Sequence, residues 1–204
     1  MRPTSRDLSV SPVLHAMRAS TSELHVALEK RLPFFSDSLD ATVFLQLMEA
    51  YYGFYSPLEQ ALLDSGAVPA DFDLRPLLKT PTLRSDLCAL GVSAEALDNL
   101  PVCSQLPVID SVAAFFGVMY VLEGATLGGQ VLRREVFRRL QLDASKGAAF
   151  LDVYGADTGR RWRQFLGYLA SHPLDEAGNH AAGLAAQSTF RCFEGWLEGR
   201  KVLL

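Results

Sequence analysis

A histidine, a carboxylate and an arginine are spaced along the first third of the chain in a way that suits metal binding. Glu29 follows His25 by four residues, and Arg18 precedes it by seven. On a helix, these steps place the carboxylate within reach of the imidazole and the guanidinium about 10 Å away along the same face. Because metal-binding histidines generally have their second ring nitrogen held by a partner, the spacing predicts an imidazole that faces the core and is oriented by Glu29. The alternative is a structural histidine in an i,i+4 pair at a helix edge.

A glycine-rich segment, EGATLGGQ, is the second candidate site. Gly124, Gly128, Gly129 and the preceding Gly117 each cost a helix interior about 1 kcal/mol relative to alanine, so a compensating role is expected. Gly117, Gly124 and Gly128 share one helix face, against which a flat ligand can lie directly on the backbone. The glycines also permit a bend in the helix. The alternative is close helix packing through small residues.

A third candidate site is a cluster of arginines near residue 160. Arg160, Arg161 and Arg163 flank Trp162, which places cations beside an aromatic side chain, as in a site for an anionic group. The alternative is a solvated helix face with its aromatic side chains turned inward. The sequence contains no P-loop, GxSxG, HExxH or CxxC motif, so it gives no support to nucleotide hydrolysis or serine-hydrolase chemistry.

Helical spacing of apolar residues continues from end to end and predicts the elements that position these sites. Five longer helices are predicted, with approximate bounds 14–32, 40–66, 111–141, 157–171 and 176–199. Three short helices are predicted near 74–79, 83–90 and 94–100. Pro57 is expected to kink or break the second long helix. No stretch alternates strictly enough for a strand, so we predict a single all-α domain over residues 1–204, with 1–10 flexible.

Composition limits the class of protein further. The chain has 204 residues, of which 49% are hydrophobic and 21% charged, and this excludes a disordered chain. Its net charge of −4 excludes a broadly basic nucleic-acid binder. The longest uncharged apolar run ends at Glu123 and is far shorter than the roughly 20 residues of a bilayer span. Three cysteines without a CxxC pair suit a reducing compartment. We therefore expect a cytoplasmic protein with no membrane span and no nucleic-acid partner.

Two motifs resemble the biliverdin-producing haem oxygenases, above all the bacterial branch that includes the enzymes supplying bacteriophytochromes. They are MRASTSELHVALEKRL, around His25, and YVLEGATLGGQVL, around the glycines. The segments RRWRQFLGYL and STFRCFEGWL match more loosely, and together the four span most of the chain. The resemblance implies a single helical domain that holds haem between a proximal helix near the N-terminus and a kinked, glycine-rich distal helix.

The same resemblance implies roles for the residues around the iron. His25 would be the axial ligand of the haem iron, and Glu29 would orient its imidazole. Gly124, Gly128 and Gly129 would lie on the distal side, where a side chain would occupy the space that dioxygen needs.

Further implied roles concern the propionates and the distal water. Arg18 and Arg163 match positions where the family places cations for the haem propionates, with Arg160 as the alternative to Arg163. Tyr120 would be a polar neighbour on the distal helix. Many family members carry an aspartate directly after the first distal glycine, where it organises water, but this chain has Ala125. Because the bacterial branch has a small residue there, activity is still expected, with the water ordered by backbone groups or by another side chain.

The implied reaction is oxidative cleavage of haem, which is both substrate and cofactor, to biliverdin, carbon monoxide and iron. It requires O2 and electrons from an external donor, a ferredoxin or a flavoprotein reductase, and a bacteriophytochrome is the implied acceptor of the biliverdin. One alternative is a non-catalytic haem carrier on the same fold. Another is a haem-free relative such as a thiaminase-like hydrolase, which needs a nucleophilic cysteine; Cys88, Cys103 and Cys192 lie in no recognisable catalytic context.

Overall fold

The computed structural model describes residues 11–204, and within that range the chain forms helices joined by turns and short 3-10 segments, without a strand. The α-helices are α1 Pro12–Arg31, α2 Ala41–Asp64, α3 Thr80–Ala89, α4 Ala94–Asp98, α5 Val112–Leu140, α6 Thr158–Ser171 and α7 Glu176–Gly199. The predicted all-α, single-domain fold is confirmed. The expectation that residues 1–10 are flexible concerns a segment outside the described residues.

Three of the long helices begin at side chains that accept a hydrogen bond from the first turn. The Asp40 carboxylate accepts from the backbone N–H of Val43 at 2.8 Å and so caps α2. Ser111 caps α5, and Asp175 caps α7. Such caps satisfy backbone donors that would otherwise lack partners, which is why local sequence located these helix starts.

Pro57 was expected to kink or break α2; the helix continues through it, so the break is excluded. Proline cannot donate a hydrogen bond to the carbonyl four residues earlier, which here belongs to Gly53. That carbonyl accepts instead from the backbone N–H of Cys103 at 2.8 Å. One turn earlier, the Ala50 carbonyl accepts from Trp196 Nε1 at 2.7 Å. Contacts with distant segments therefore support the helix through its proline.

The longest helix, α5, provides much of the hydrophobic core. By length and composition alone α5 could cross a membrane, but 61% of its most apolar 18-residue stretch is buried inside the protein. Phe115 and Phe116 are fully buried in its first half. The burial accounts for the apolar character of α5, as in the central helix of a globular domain.

Candidate functional site

Helix α7 packs along α1 and fixes the position of the histidine-bearing segment. The Ser20 hydroxyl donates to the Gly183 carbonyl at 3.1 Å. Eleven residues further along α1, Arg31 forms an ion pair with Glu194 at 2.6 Å. The same offset of 163 residues separates both pairs. The two helices therefore run parallel and in register.

Helix α7 also packs along α5, and these two helices start at the same end of the molecule. The ring of Phe116 lies 6.4 Å from that of His172, just before α7 begins. At Gly117, a Cβ would overlap the backbone of Ala182 and approach that of Ala186, so the glycine permits close contact. Small residues thus bring α5 against α7 at Ala182 and Ala186. Gly183, which accepts from Ser20 of α1, lies between these two alanines along α7.

This shared register brings two candidate sites to similar heights along α7. His25 lies five residues beyond the Ser20 contact, and Gly124 lies seven residues beyond the Gly117 contact. At 1.5 Å per residue, these steps correspond to rises of about 8 and 10 Å in the same direction. The histidine and the first distal glycine therefore lie on two flanks of α7 at nearly the same level.

The His25 imidazole is exposed, and the expectation that it faces the core was wrong. Its side chain is 53% exposed, with Nδ1 3.5 Å from Glu29 Oε2. On its other side, the ring of Phe190 from α7 stands edge-on to the imidazole, 6.0 Å away between centroids. Among residues 11–204, no side chain or backbone atom hydrogen-bonds to His25 Nε2. The imidazole is thus oriented from one side and open on the other.

The four glycines of α5 divide into two that pack and two that are open. Gly117 packs on α7, and a Cβ on Gly129 would overlap the carbonyl of Leu151. At Gly128, no atom outside the helix lies within 4 Å of the position of a Cβ, and at Gly124 the nearest atoms belong to Trp162, 3.8 Å away. The predicted common face of Gly117, Gly124 and Gly128 is therefore covered at one end and open at the other.

Apolar and aromatic side chains surround the open glycines. Val26 on α1 and Leu127 and Val131 on α5 are about half exposed. Tyr120, one turn before Gly124, contacts Trp162 with ring centroids 5.9 Å apart. An imidazole, bare helix backbone and exposed apolar side chains together favour an apolar, planar ligand that carries a metal.

The arginines near this surface differ in their surroundings. Arg160 is held by Asp157, with Nη2 2.7 Å from the carboxylate oxygen Oδ2, and this hydrogen bond raises the pKa of Arg160. Arg161 turns inward, its guanidinium 5.1 Å from the centre of the Tyr154 ring. Arg18 and Arg163 are exposed, and neither forms an ion pair within the described part of the chain. These two cations are the ones available to an anionic ligand.

Sequence reasoning missed two features of this region. Phe190, which contacts His25, lies in the loosely matching segment STFRCFEGWL, but spacing within that segment gave no sign of the contact. Glu123 marked the end of the apolar run in α5, and a charge at that place is a signal of burial with a partner. In the structure, it pairs with Lys79 at 2.6 Å, and both side chains are 1% exposed.

The three cysteines differ in burial, and the most buried of them is a poor candidate for a reactive thiol. Cys103 is buried, and burial raises the pKa of its thiol. Cys192 is half-buried and Cys88 is exposed. Because a nucleophilic cysteine needs an environment that lowers its pKa, the buried thiol is unsuited to that role. Within residues 11–204, there is also no cluster of three or more His, Cys, Asp or Glu residues that could hold a metal ion.

Fold and site together define a class of helical protein in which an imidazole and a bare, glycine-containing helix face lie on two flanks of one supporting helix. A family model described as Heme oxygenase matches residues 11–199. The chain belongs to the haem oxygenase family, and this membership implies an enzyme that binds and degrades haem.

Individual relatives agree with this assignment. A protein named Heme oxygenase from Xanthomonas campestris pv. campestris is 26% identical over 155 residues, which cover 76% of this chain and 88% of the relative. The structure of the haem oxygenase from Leptospira interrogans has a TM-score of 0.71 at 20% identity and covers 92% of this chain and 98% of its own. The NO- and CO-bound haem oxygenase from Neisseria meningitidis also has a TM-score of 0.71, at 19% identity, covering 94% and 92%. At such identities, the structural likeness establishes the fold.

Proposed function

We propose that this protein cleaves haem with O2 to biliverdin, carbon monoxide and iron, using electrons from an external ferredoxin or flavoprotein reductase. The observation that carries the proposal is the pairing of an exposed His25 with the open helix face at Gly124 and Gly128, level with each other along α7. When bound, haem supplies both the iron that activates oxygen and the carbon that is oxidised.

His25 acts as the proximal ligand. Its Nε2 side is open, while Glu29 lies beside Nδ1 at 3.5 Å. A carboxylate beside Nδ1 favours the tautomer with the proton on Nδ1 and leaves Nε2 as the atom that binds iron. A neutral imidazole gives less electronic push toward O–O cleavage than a thiolate does, which suits oxidation of the macrocycle itself.

The distal helix shapes the opposite side of the ligand. At Gly124 and Gly128, the absence of side chains leaves room for the macrocycle and for dioxygen above it. Leu127 and Val131 flank this opening. They exclude bulk water once haem fills the slot, by which we mean the space between His25 on α1 and the open face of α5 at Gly124 and Gly128. Gly129 contributes indirectly, because its contact with Leu151 holds α5 in place.

Exposed cations at the edge of the slot orient the macrocycle through its propionates. Arg18 and Arg163 serve this role, since Arg160 is already paired with Asp157. The orientation of haem in its plane determines which meso carbon lies beneath the oxygen. Tyr120 borders the same region on α5, where its ring contacts Trp162 and its hydroxyl contributes a polar group.

Two neighbouring arginines on α6 provide a matched test of propionate binding. We expect Arg163→Gln to weaken haem binding up to about fivefold, the effect of losing one exposed charge pair worth up to about 1 kcal/mol. Arg160→Gln should leave haem affinity unchanged, because it removes a cation that Asp157 already holds. Titration of each variant with haemin, followed by absorbance, checks both. Equal weakening by the two substitutions would contradict the assignment of Arg163.

The decisive experiment mixes the purified protein with haemin and follows its absorption spectrum under air, before and after ascorbate is added. We expect a haem spectrum that decays as a bilin band appears. A stable haem spectrum with no bilin band would instead establish the carrier alternative. A protein that binds no haem would overturn both proposals.

A role in chromophore supply completes the proposal. The motif YVLEGATLGGQVL resembles the bacterial branch that includes the bacteriophytochrome-associated enzymes, and it supports a bacteriophytochrome as the biliverdin acceptor in the cytoplasm. Adding an apo-bacteriophytochrome to the reaction should then produce a photochromic holoprotein at the rate of bilin release. A product that the apo-bacteriophytochrome does not take up would contradict this role.

A further inference from the structure

A buried ion pair lies directly behind the open face of α5. Lys79 Nζ is 2.6 Å from Glu123 Oε1, and each side chain is 1% exposed. Lys79 Nζ also donates to the Leu77 carbonyl at 2.9 Å, and the Tyr154 hydroxyl donates to the same Glu123 oxygen at 3.0 Å. Because Glu123 immediately precedes Gly124, this cluster is attached to the distal helix at the start of its open face.

Stability alone does not account for such a pair. Removing two charges from water costs several kcal/mol per ion, and apolar replacements of buried pairs are often neutral or stabilising. The proposed function assigns no role to Lys79 or Glu123. Both groups are therefore buried and ionisable, and within residues 11–204 neither side chain forms a hydrogen bond or ion pair with His25 or with the open glycines Gly124 and Gly128.

A small cavity connects Lys79 to the distal helix. The residues lining it are Tyr51, Tyr55, Lys79, Ala125, Thr126, Gly129, Leu132, Phe150 and Leu151. Ala125 is exposed on the α5 surface, so the cavity reaches that surface one residue from Gly124 and three from Gly128. Its walls therefore bring an ammonium group to the side of α5 that adjoins the open glycines.

The hydrogen bonds of Lys79 leave one donor for this cavity. Of its three N–H groups, one donates to Glu123 and one to the Leu77 carbonyl. Within residues 11–204, the third has no hydrogen-bond acceptor, and Nζ also lies 5.4 Å from the centre of the Tyr154 ring. A buried donor of this kind is ordinarily satisfied by water, and a water bonded to an ammonium group is a better proton donor than bulk water.

Charged and polar groups from several segments surround the ammonium. Glu123 faces it from α5, while Glu59 on α2 accepts from the Lys79 backbone N–H at 2.6 Å. Tyr154 approaches from the segment before α6, and burial together with the Glu123 carboxylate raises the pKa of its hydroxyl. Arg161 lies over the Tyr154 ring. The raised pKa keeps the Tyr154 phenol protonated, so it remains a hydrogen-bond donor to Glu123.

We propose that Lys79, held by Glu123 and Tyr154, is a positioning residue that binds and orients a water in the cavity beside Ala125, through which protons reach the distal face at Gly124 and Gly128. The proton comes from solvent and passes through the water, so Lys79 stays charged and no group is oxidised or reduced. This inference rests on the proposed function. It assigns to a lysine on another segment the ordering of water that Ala125 cannot perform.

The test removes both charges together, because removing one would leave the other buried and unpaired. The double variant Lys79→Met/Glu123→Gln loses the ammonium, while the new amide oxygen still accepts from Tyr154. The control is Arg84→Met/Asp98→Asn, which removes an exposed ion pair of 3.1 Å whose residues do not line the cavity. Haem affinity, bilin formation and a pH titration of the absorption spectrum of the ferric haem-loaded protein are measured for wild type and both variants.

We expect the double variant to bind haem within about threefold of wild type and to form bilin at least about tenfold more slowly, the range for loss of an assisted proton transfer. The midpoint of its spectral pH titration should differ from that of wild type, because the water loses the ammonium group that it contacts. The control should match wild type in all three measurements. An unchanged rate and midpoint in the double variant would overturn the inference.

A second variant keeps the inference testable if the double variant does not fold. Ala125→Leu changes an exposed helix position and fills the cavity, so it should expel the water, slow bilin formation to a similar extent and leave folding intact. A wild-type rate and midpoint in this variant would overturn the inference. If the wild-type protein itself forms no bilin, the proposed function fails. If the wild type is active and both variants form bilin at its rate, only the role of Lys79 is refuted.

Discussion

Replacement of His25 by alanine is expected to remove the axial ligand and to lower the rate of bilin formation by more than about 100-fold. Loss of a group that only orients a ligand typically costs 10- to 100-fold, so loss of the ligand itself should cost at least as much. The imidazole is exposed at 53% and contributes little to the core, so the variant should fold normally. The absorption spectrum of the haem-loaded variant and its rate of bilin formation check the prediction.

The chain provides a matched control on the same helix. His15 is also exposed on α1, but it lies ten residues away and about 80° around the helix, so His15→Ala should leave spectrum and rate unchanged. Added imidazole should restore the spectrum of His25→Ala, because the vacated space admits the free base. An unchanged haem spectrum in His25→Ala would refute the ligand assignment for either a haem oxygenase or a haem carrier.

Adjacent glycines on α5 should respond in opposite ways to the same substitution. Gly129→Ala is expected to lower the free energy of unfolding by about 1–3 kcal/mol, since its Cβ would overlap the Leu151 carbonyl and force a backbone shift. Gly128→Ala is expected to raise it by up to about 1 kcal/mol, because the Cβ enters open space and the helix gains propensity. Urea-induced unfolding of the haem-free variants measures both changes.

The two alanine substitutions should rank the other way in activity per folded molecule, with Gly128→Ala the less active of the two. Gly128→Ala places a methyl group on the open face and should slow bilin formation by about tenfold, equivalent to about 1.4 kcal/mol of lost transition-state stabilisation. A bulkier substitution, Gly128→Leu, should slow it further while the protein stays folded. If the two alanine variants lose stability equally, or if Gly128→Leu retains wild-type activity, the division of the glycines into packed and open would be wrong.

Local sequence predicted the helices well because the relevant signals lie within a few residues of one another. Asp40 and Ser111 accept hydrogen bonds from the turn that follows each of them, so their positions marked helix starts. The spacing of His25 and Glu29 likewise predicted their proximity, and the structure places Nδ1 and Oε2 3.5 Å apart. The motifs around them also indicated the family that the comparison with known proteins established.

Features that depend on distant segments could not be read in this way. Pro57 predicted a kink or a break in α2, but the helix continues, and the Gly53 carbonyl finds its partner at Cys103, fifty residues further along the chain. The periodicity of α1 placed His25 toward the core, yet within residues 11–204 its imidazole contacts Phe190 only at the edge and stays 53% exposed. Periodicity reports which residues share a face, and only the packed neighbours decide whether that face is buried.

What the sequence by itself determined is therefore the all-α class, the helix positions and the residue types available for haem chemistry. The tertiary structure decided that Gly117 and Gly129 pack while Gly124 and Gly128 remain open, because α7 and Leu151 reach only the first two. It also decided that the lone charge of Glu123 is buried against Lys79, forty-four residues away. The physical reason is the same in each case. The spacing of side chains is a local property of the sequence, whereas burial and ion pairing require a distant segment to pack against them.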